Sequence, residues 1–424
     1  MKVVIVGGGA SGLLASINIK VRFKDLVDVV VLERLERVGK KILATGGGKG
    51  NITNSHLKSN LKQSTTVYNN PTFVQKLLKK NTFQNTIDYF SSMGLEIIEL
   101  NEGRCYPKSE TTNSILDTLR LKMIELNVNV INNFEVSKIS KKDNQFIVES
   151  TRRTTVIADY VVLACGGKSS PILGSNGSGY NLLKNFKLDV TPIYPGLSGI
   201  VTNETSVAGL DGIRAKANVL LTKGRSKDIL WEEYGEVQFK KNSISGIVVM
   251  NLSSFIARGL KDKTLNNFSI YLDFMPNMDE LKLIEFINQR VINLSTYSIQ
   301  NFLIGLFPKM LANLIIKKAR IDLSGMVATL NKKDVERLAN VIKHFEIIYK
   351  NLDSFEHSQV SVGGLNINEI DESLETKKIK GLYVVGELLD IDGTCGGYNL
   401  QWAWTSSLVA SNDINSKIEV QLHG

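Results

Sequence analysis

Apolar positions in this chain form short unbroken runs near its start and a strict alternation near its middle. Residues 3–6 and 29–32 are continuously apolar, the mark of parallel strands buried on both faces. Between them Leu13, Leu14, Ile17 and Val21 recur at helical spacing, which predicts a β-α-β unit with its helix starting at about Ala10. A glycine-rich segment at 40–54 is followed by helical patterns over about 72–93 and 111–125. Strand-like pieces at 129–136 and 145–149 lead to a further apolar run, 156–165, ending in Gly166-Gly167.

The pattern changes after residue 196. Ile213, Ala215, Ala217, Val219 and Leu221 alternate with Arg214, Lys216, Asn218 and Leu220, which predicts an antiparallel sheet or small barrel buried on one side. Residues 277–343 turn helical, with Asn277 as N-cap, Glu280 at the capping-box position, and Leu281, Ile284, Ile287 and Val291 as the apolar face. Strands resume near 344–349 and 359–362. The pattern predicts an α/β protein whose Rossmann-like dinucleotide-binding domain (1–190 with 361–424) is split. An inserted antiparallel sheet or small β-barrel, serving the substrate (191–276 with 344–360), carries a nested helical domain (277–343). At 424 residues the chain exceeds what one core usually supports, in keeping with several domains.

Both ends of the chain carry the same device, a short apolar strand running into a glycine turn and a helix. Gly7-x-Gly9-x-x-Gly12 follows the first strand, so Gly7 allows the tight turn, Gly9 a close backbone approach to a pyrophosphate, and Gly12 close helix-strand packing. Glu33 lies about 20 residues further on, at the tip of the second strand, where a carboxylate can accept ribose hydroxyls. Thr45-Gly46-Gly47-Gly48-Lys49-Gly50-Asn51 can reach over the diphosphate with unshielded backbone amides. Near the other end, Gly386-Glu387 closes a strand and is expected to face ribityl hydroxyls, while Gly396-Gly397-Tyr398-Asn399-Leu400-Gln401 opens a helix. Its amides are suited to the partly negative edge of a flavin.

Composition narrows the setting without naming the chemistry. With 43% hydrophobic and 22% charged residues the chain is an ordinary globular protein, and no stretch approaches the roughly 18 apolar residues of a membrane span. A cytoplasmic protein without a membrane partner is expected. Cys105, Cys165 and Cys395 are far apart and are read as reduced, and His56, His344, His357 and His423 lack ligand spacing, so no metal site is expected. Lys and Arg exceed Asp and Glu by 51 to 42, a net charge of +9. The basic residues are scattered in small groups such as Lys317-Lys318, which reads as solvated surface more than as a nucleic-acid stripe.

Several longer stretches resemble one bacterial flavoprotein family, labelled BaiN-like or YhiN-like. They are Lys41-Ile-Leu-Ala-Thr-Gly-Gly-Gly-Lys-Gly-Asn-Ile-Thr-Asn54, Gly103-Arg-Cys-Tyr-Pro107, Gly166-Gly-Lys-Ser169, Ser243-Ile-Ser-Gly246, and Gly386-Glu-Leu-Leu-Asp390 with Gly396-Gly-Tyr-Asn-Leu-Gln-Trp-Ala403. The resemblance spans nearly the whole chain. It implies one FAD, a Rossmann-like domain split around a β-barrel, and a helical insert. Members of that family include a reductase of unsaturated 3-oxo bile acids and proteins described as aminoacetone oxidases. The chain departs from the pattern at Gly50, where the family usually has cysteine, and at Lys240-Lys241, where it has a threonine-led pair. The cofactor contacts expected on these grounds are Gly7, Gly9, Ala10, Ser11, Gly12, Glu33, Arg34, Lys40, Thr45, Gly46, Gly47, Gly48, Asn51, Val136, Ala164, Gly166, Gly386, Glu387, Gly397, Asn399, Leu400 and Gln401.

Flavin N5 can carry the hydride itself, so the protein need only position a substrate and manage a proton. Arg104 and Tyr106 are candidates to bind a carbonyl or carboxylate, and Tyr398 to donate a proton. There is no second dinucleotide fingerprint, so NADH or NADPH is expected as a transient donor docking in the substrate cleft. The leading expectation is an FAD-dependent oxidoreductase, NAD(P)H-driven, acting on an unsaturated or carbonyl-containing small molecule. An amine (aminoacetone-type) oxidase and a flavin-dependent RNA-modifying or nucleic-acid-binding protein are the alternatives. Oligomeric state is not legible.

Overall fold

Five strands lie parallel in the order Leu382–Val384, Tyr160–Leu163, β1 (Lys2–Val6), β2 (Asp28–Leu32) and Asn129–Ile131, the first four largely buried and the last a partly exposed edge. The computed structural model describes residues 1–59, 67–226 and 228–423, which divide into two compact units, Met1–Pro195 with Ser358–Gly424, and Gly196–His357. The parallel sheet belongs to the first unit. Its strands carry Val, Ile and Leu without alternation because helices can cover both faces of such a sheet.

Helix α1 (Ala10–Phe23) connects β1 to β2 and buries Leu13, Leu14 and Ile17. Val21, expected on the same face, is 47% exposed, because Lys20 and Phe23 take the inward positions of the last turn. The apolar run 156–165 is two strands in different sheets, Thr155–Ala158 and Tyr160–Leu163. The break falls at Asp159, whose amide and carboxylate both bond the backbone of Lys2 at the start of β1 (2.9 and 2.8 Å). The helical pattern at 72–93 likewise resolves into Pro71–Lys80 and Phe83–Ser92, since Thr82 caps the second helix in a reciprocal bond pair with Asn85.

The C-terminal helix Tyr398–His423 packs along α1, with Asn18 donating to Ser411 Oγ at 2.7 Å. Its Trp404 is fully buried, stacks edge-on against Phe90, and donates to Ile52 O at 3.1 Å. The glycine turn that precedes this helix, Gly396-Gly397, meets Asn51, Thr53 and Asn54.

In the second unit seven strands pair in the order Phe345–Ile347, Phe268–Asp273, Arg214–Lys223, Ile229–Lys240, Ser243–Ser245, Ile200–Thr202, Tyr349–Leu352. Ala217, Val219 and Leu221 are fully buried, as the alternation requires. Among the described residues no pairing joins the first and last of these strands, so the sheet is open where a closed barrel was expected. The helix expected from Asn277 begins at Glu280, capped by Asp279, which accepts from Lys282 N at 2.9 Å. The expected face is largely kept, with Ile287 buried and Ile284 and Val291 packed half-buried against the core, but in the first turn Leu283 points inward and Leu281 is 75% exposed. No described helix is long and apolar enough to cross a membrane.

Candidate functional site

The strand ends and glycine turns of the first unit converge at the C-terminal edge of its parallel sheet. Gly7 has φ +110°, and a side chain there would strike Ala164 O at 2.5 Å. Gly12 is tighter still, with Gly7 O only 2.0 Å from where a Cβ would sit. Gly9 is the opposite case, having no protein atom within 4 Å of that position. The first turn of α1 therefore meets open space with its leading amides, at Ala10 and Ser11, and it carries no acidic residue. Such a helix start favours an anion by about 0.3–2 kcal/mol. From the opposite end of the chain, Gly386 (φ +67°) reaches Ser11, whose Oγ lies 2.9 Å from its would-be Cβ. Gly166, at φ +68°, turns the chain after Ala164 in the same cluster.

Glu33 is 7% exposed at the end of β2 and accepts the amides of Gly8 and Leu35, both at 2.8 Å. A carboxylate has about four lone-pair sites, so capacity for hydroxyl donors remains. Val136 sits beside this point, because Phe134 N bonds Glu33 O at 2.9 Å and Val136 opens the next strand. Arg34 and Lys40 instead engage Glu135 (3.8 Å) and Glu36 (3.1 Å).

The second half of the site lies between residues 45–54, the strand Arg104–Pro107 and residues 393–399. Gly46 and Gly47 are left-handed, and Gly47 and Gly48 face no protein atom within 4 Å. Thr45 turns inward to Ile42 O at 2.7 Å. Asn51 Oδ1 is buried without a hydrogen-bond partner and lies 2.7 Å from the would-be Cβ of Gly397. Thr53 and Asn54 pair with Cys105 and Arg104, and Asn54 also donates to Gly396 O at 3.0 Å. Tyr106 lies against Gly46, 3.5 Å from its would-be Cβ. Tyr398 is 6% exposed, with its ring edge-on to Tyr68; burial raises its phenol above the usual range, partly opposed by the nearby Arg104 charge. Arg104 also pairs with Glu102.

Three expected contacts are spent on the protein itself. Asn399 clamps the preceding loop, exchanging bonds with the backbone of Gly393 (both 2.9 Å). Gln401 is fully buried among Thr53, Thr86 and Thr405, and its amide bonds Gly397 O. Leu400, beside them in the first turn of the helix, is half-buried. The Glu387 carboxylate, expected to face ribityl hydroxyls, accepts from Lys41 Nζ, Ser169 Oγ and Ser361 N, each at 2.8 Å. Burial raises its pKa, but the Lys41 charge and these bonds outweigh that and hold it below the ordinary glutamate range. Lys41, Ser169 and Asn54 lie in the stretches 41–54 and 166–169, but their partners, and the part of Ser361, follow only from the fold. Among the described residues no three His, Cys, Asp or Glu side chains are grouped to hold a metal.

This arrangement fits a dinucleotide: open space beside Gly9, unencumbered amides at the start of α1, and the unpartnered Asn51 oxygen near the glycine loop. The class it defines is a Rossmann-type FAD-dependent oxidoreductase. Residues 1–413 match the HI0933-like protein Rossmann domain, and the chain belongs to that family. It is 33% identical to the 3-dehydro-bile acid delta(4,6)-reductase of Clostridium scindens, over 96% of this chain and 97% of that one. It is 26% identical to the ribosomal RNA dihydrouridine synthase of Haemophilus influenzae, over 97% and 98%. Among solved structures, 3-ketosteroid delta1-dehydrogenase from Sterolibacterium denitrificans shares the fold at TM-score 0.50 and 14% identity, over 98% of this chain and 99% of that one.

Proposed function

We propose that this protein uses FAD to pass a hydride from NADH or NADPH to a carbon-carbon double bond conjugated to a carbonyl, in a small-molecule substrate. The observation that carries this is the 33% identity, over almost the full length of both chains, to a reductase of an unsaturated bile acid. When bound, FAD supplies the hydride relay; the chain supplies the grip, the orientation and the proton. The α1 amides and Gly9 would hold the diphosphate, Glu33 the ribose beside Val136, and residues 45–51 with Gly397 the ring, to which the unpartnered Asn51 Oδ1 offers a hydrogen-bond acceptor. Arg104 binds the carbonyl oxygen, whose partial negative charge grows as hydride arrives. Tyr398, kept neutral by burial, donates the balancing proton to carbon. Tyr106 supports the glycine loop.

In this reading the unit Gly196–His357 is an inserted β domain with a nested helical segment at 277–343, and it carries the determinants of substrate choice. Anaerobic mixing with each nicotinamide, followed by addition of a steroid enone, tests the reading. Rapid bleaching of the flavin band and its recovery on enone addition are expected. Hydrogen peroxide formed from a small amine, with no response to either nicotinamide, would instead establish the oxidase.

A second reading has its own support. Dihydrouridine is uridine with its ring double bond saturated, and that bond is conjugated to a ring carbonyl, so the same hydride and proton addition applies. The identity to a ribosomal RNA dihydrouridine synthase over 97% of this chain favours it, as does the +9 net charge. Loss of uracil absorbance in an RNA incubated with the enzyme and NADPH distinguishes it from the first.

A further inference from the structure

We propose that the second unit contains a groove that binds single-stranded RNA; this rests on the second reading above and gives it a location. The groove has a volume of about 830 Å³, within the usual range of ligand clefts, about 300–1,000 Å³. Two cations flank it, Arg225 and Lys263, and neither makes an ion pair among the described residues. Both are placed by firm local structure. The turn bearing Arg225 is pinned to the segment before Phe268 by Gly224 N, which donates to Asn267 O at 3.0 Å. Lys263 has φ +56° in the reversal after the helix Ile247–Lys261, where Thr264 N and Leu265 N both bond Gly259 O (2.9 and 3.1 Å).

The groove lining also carries two aromatic rings. Phe268 and Tyr349 lie 5.0 Å apart at 60°, half-buried, so each ring is supported by the other and keeps an accessible part. Asn267 offers amide donors and acceptors, and Glu346 offers an acceptor that base amino groups can use. Phosphates at the rim, bases on a ring platform and carboxamide readers beside them are the elements of single-strand recognition. An uncharged steroid-like molecule would have no use for the two cations. The assignment also uses part of the +9 net charge that scattered surface residues left without a role.

The test is fluorescence anisotropy of a labelled oligouridine with the FAD-loaded enzyme, across a salt series. The variants are Arg225→Ala with Lys263→Ala, and separately Tyr349→Ala; flavin content and NADPH oxidation should match wild type in both, which shows intact folding. The double variant should bind at least about tenfold more weakly, with a salt slope reduced by about 1.4, two contacts at 0.7 each for single strands. Tyr349→Ala should weaken binding by about tenfold without changing the slope. Wild-type binding that survives unchanged in every variant overturns the groove and leaves the RNA reading standing. Failure of wild type to bind the oligomer at low salt overturns both, and enone reduction would then remain as the function.

Discussion

Gly9 and Gly12 are three positions apart in one turn, yet the structure gives their alanine variants opposite outcomes. At Gly12 the added methyl would sit 2.0 Å from Gly7 O, where real contacts stop at 3.0 Å, so α1 must move about 1 Å from β1. Overpacking of this kind costs about 1–3 kcal/mol. At about 2–4 °C per kcal/mol for a domain of 150–250 residues, the melting point should fall by roughly 2–12 °C. At Gly9, φ is −86° and no atom lies within 4 Å, so alanine fits the apoprotein without strain. Stability should change by less than about 1 kcal/mol, because the unfolded chain loses freedom, worth about 0.4–1 kcal/mol, while alanine is a poorer N-cap than glycine by a similar amount. Its methyl would stand where the diphosphate belongs, so FAD affinity should fall at least about tenfold, or 1.4 kcal/mol. Differential scanning fluorimetry of the apoproteins and flavin titration separate the two effects. If apo Gly12→Ala melted like wild type, or Gly9→Ala held FAD as firmly as wild type, the geometric account of the turn would be refuted.

Other consequences are equally direct. Tyr398→Phe should lower the rate of substrate reduction by about 10²-fold while flavin reduction by nicotinamide persists in stopped flow, and Arg104→Ala should mainly raise KM; unchanged kinetics would remove both residues from the chemistry. Glu387→Gln should destabilise the first unit by about 1–3 kcal/mol in urea at pH 7. Because the native Glu387 carboxyl titrates below its unfolded value, near 4.3, its contribution is complete above that pH and is lost as pH falls through the lower native value. The wild-type and Glu387→Gln stabilities should therefore converge under acid; a gap that is constant with pH would contradict the ion pair. Burial raises the thiols of Cys105 and Cys165 to about 11 and about 12, so iodoacetamide at pH 8 should leave both unlabelled in the native protein, as mass spectrometry of the digest would show.

In the first 33 residues the strands, the helix and the glycine turn are legible in the sequence, Val21 excepted, because their signals are local. An unbroken apolar run marks a strand buried on both faces, and glycines at fixed offsets leave a helix start uncovered. The outcome at Gly7, Gly9 and Gly12 follows from backbone geometry over a single turn. A local pattern failed where a long-range bond took over, at Asp159, which ended one strand by bonding Lys2; at the helix start one local cap, Asp279, replaced another, Asn277. The alternation at 213–221 correctly placed the buried face of a sheet, but whether its edges close depends on partners far away in the chain.

Side-chain roles divide along the same line. The residue types point the glycine loop and the start of the helix of Tyr398 toward one cofactor, and the fold brings both beside the strand of Arg104. Which of their side chains stay available was a matter of three-dimensional neighbours: Gln401 and Asn399 were consumed by the core and a loop, Glu387 by Lys41, and Asn51 was left with an unanswered oxygen. Backbone shape is encoded within a few residues, whereas a hydrogen bond across hundreds of positions exists only once packing has brought its two ends within about 3 Å.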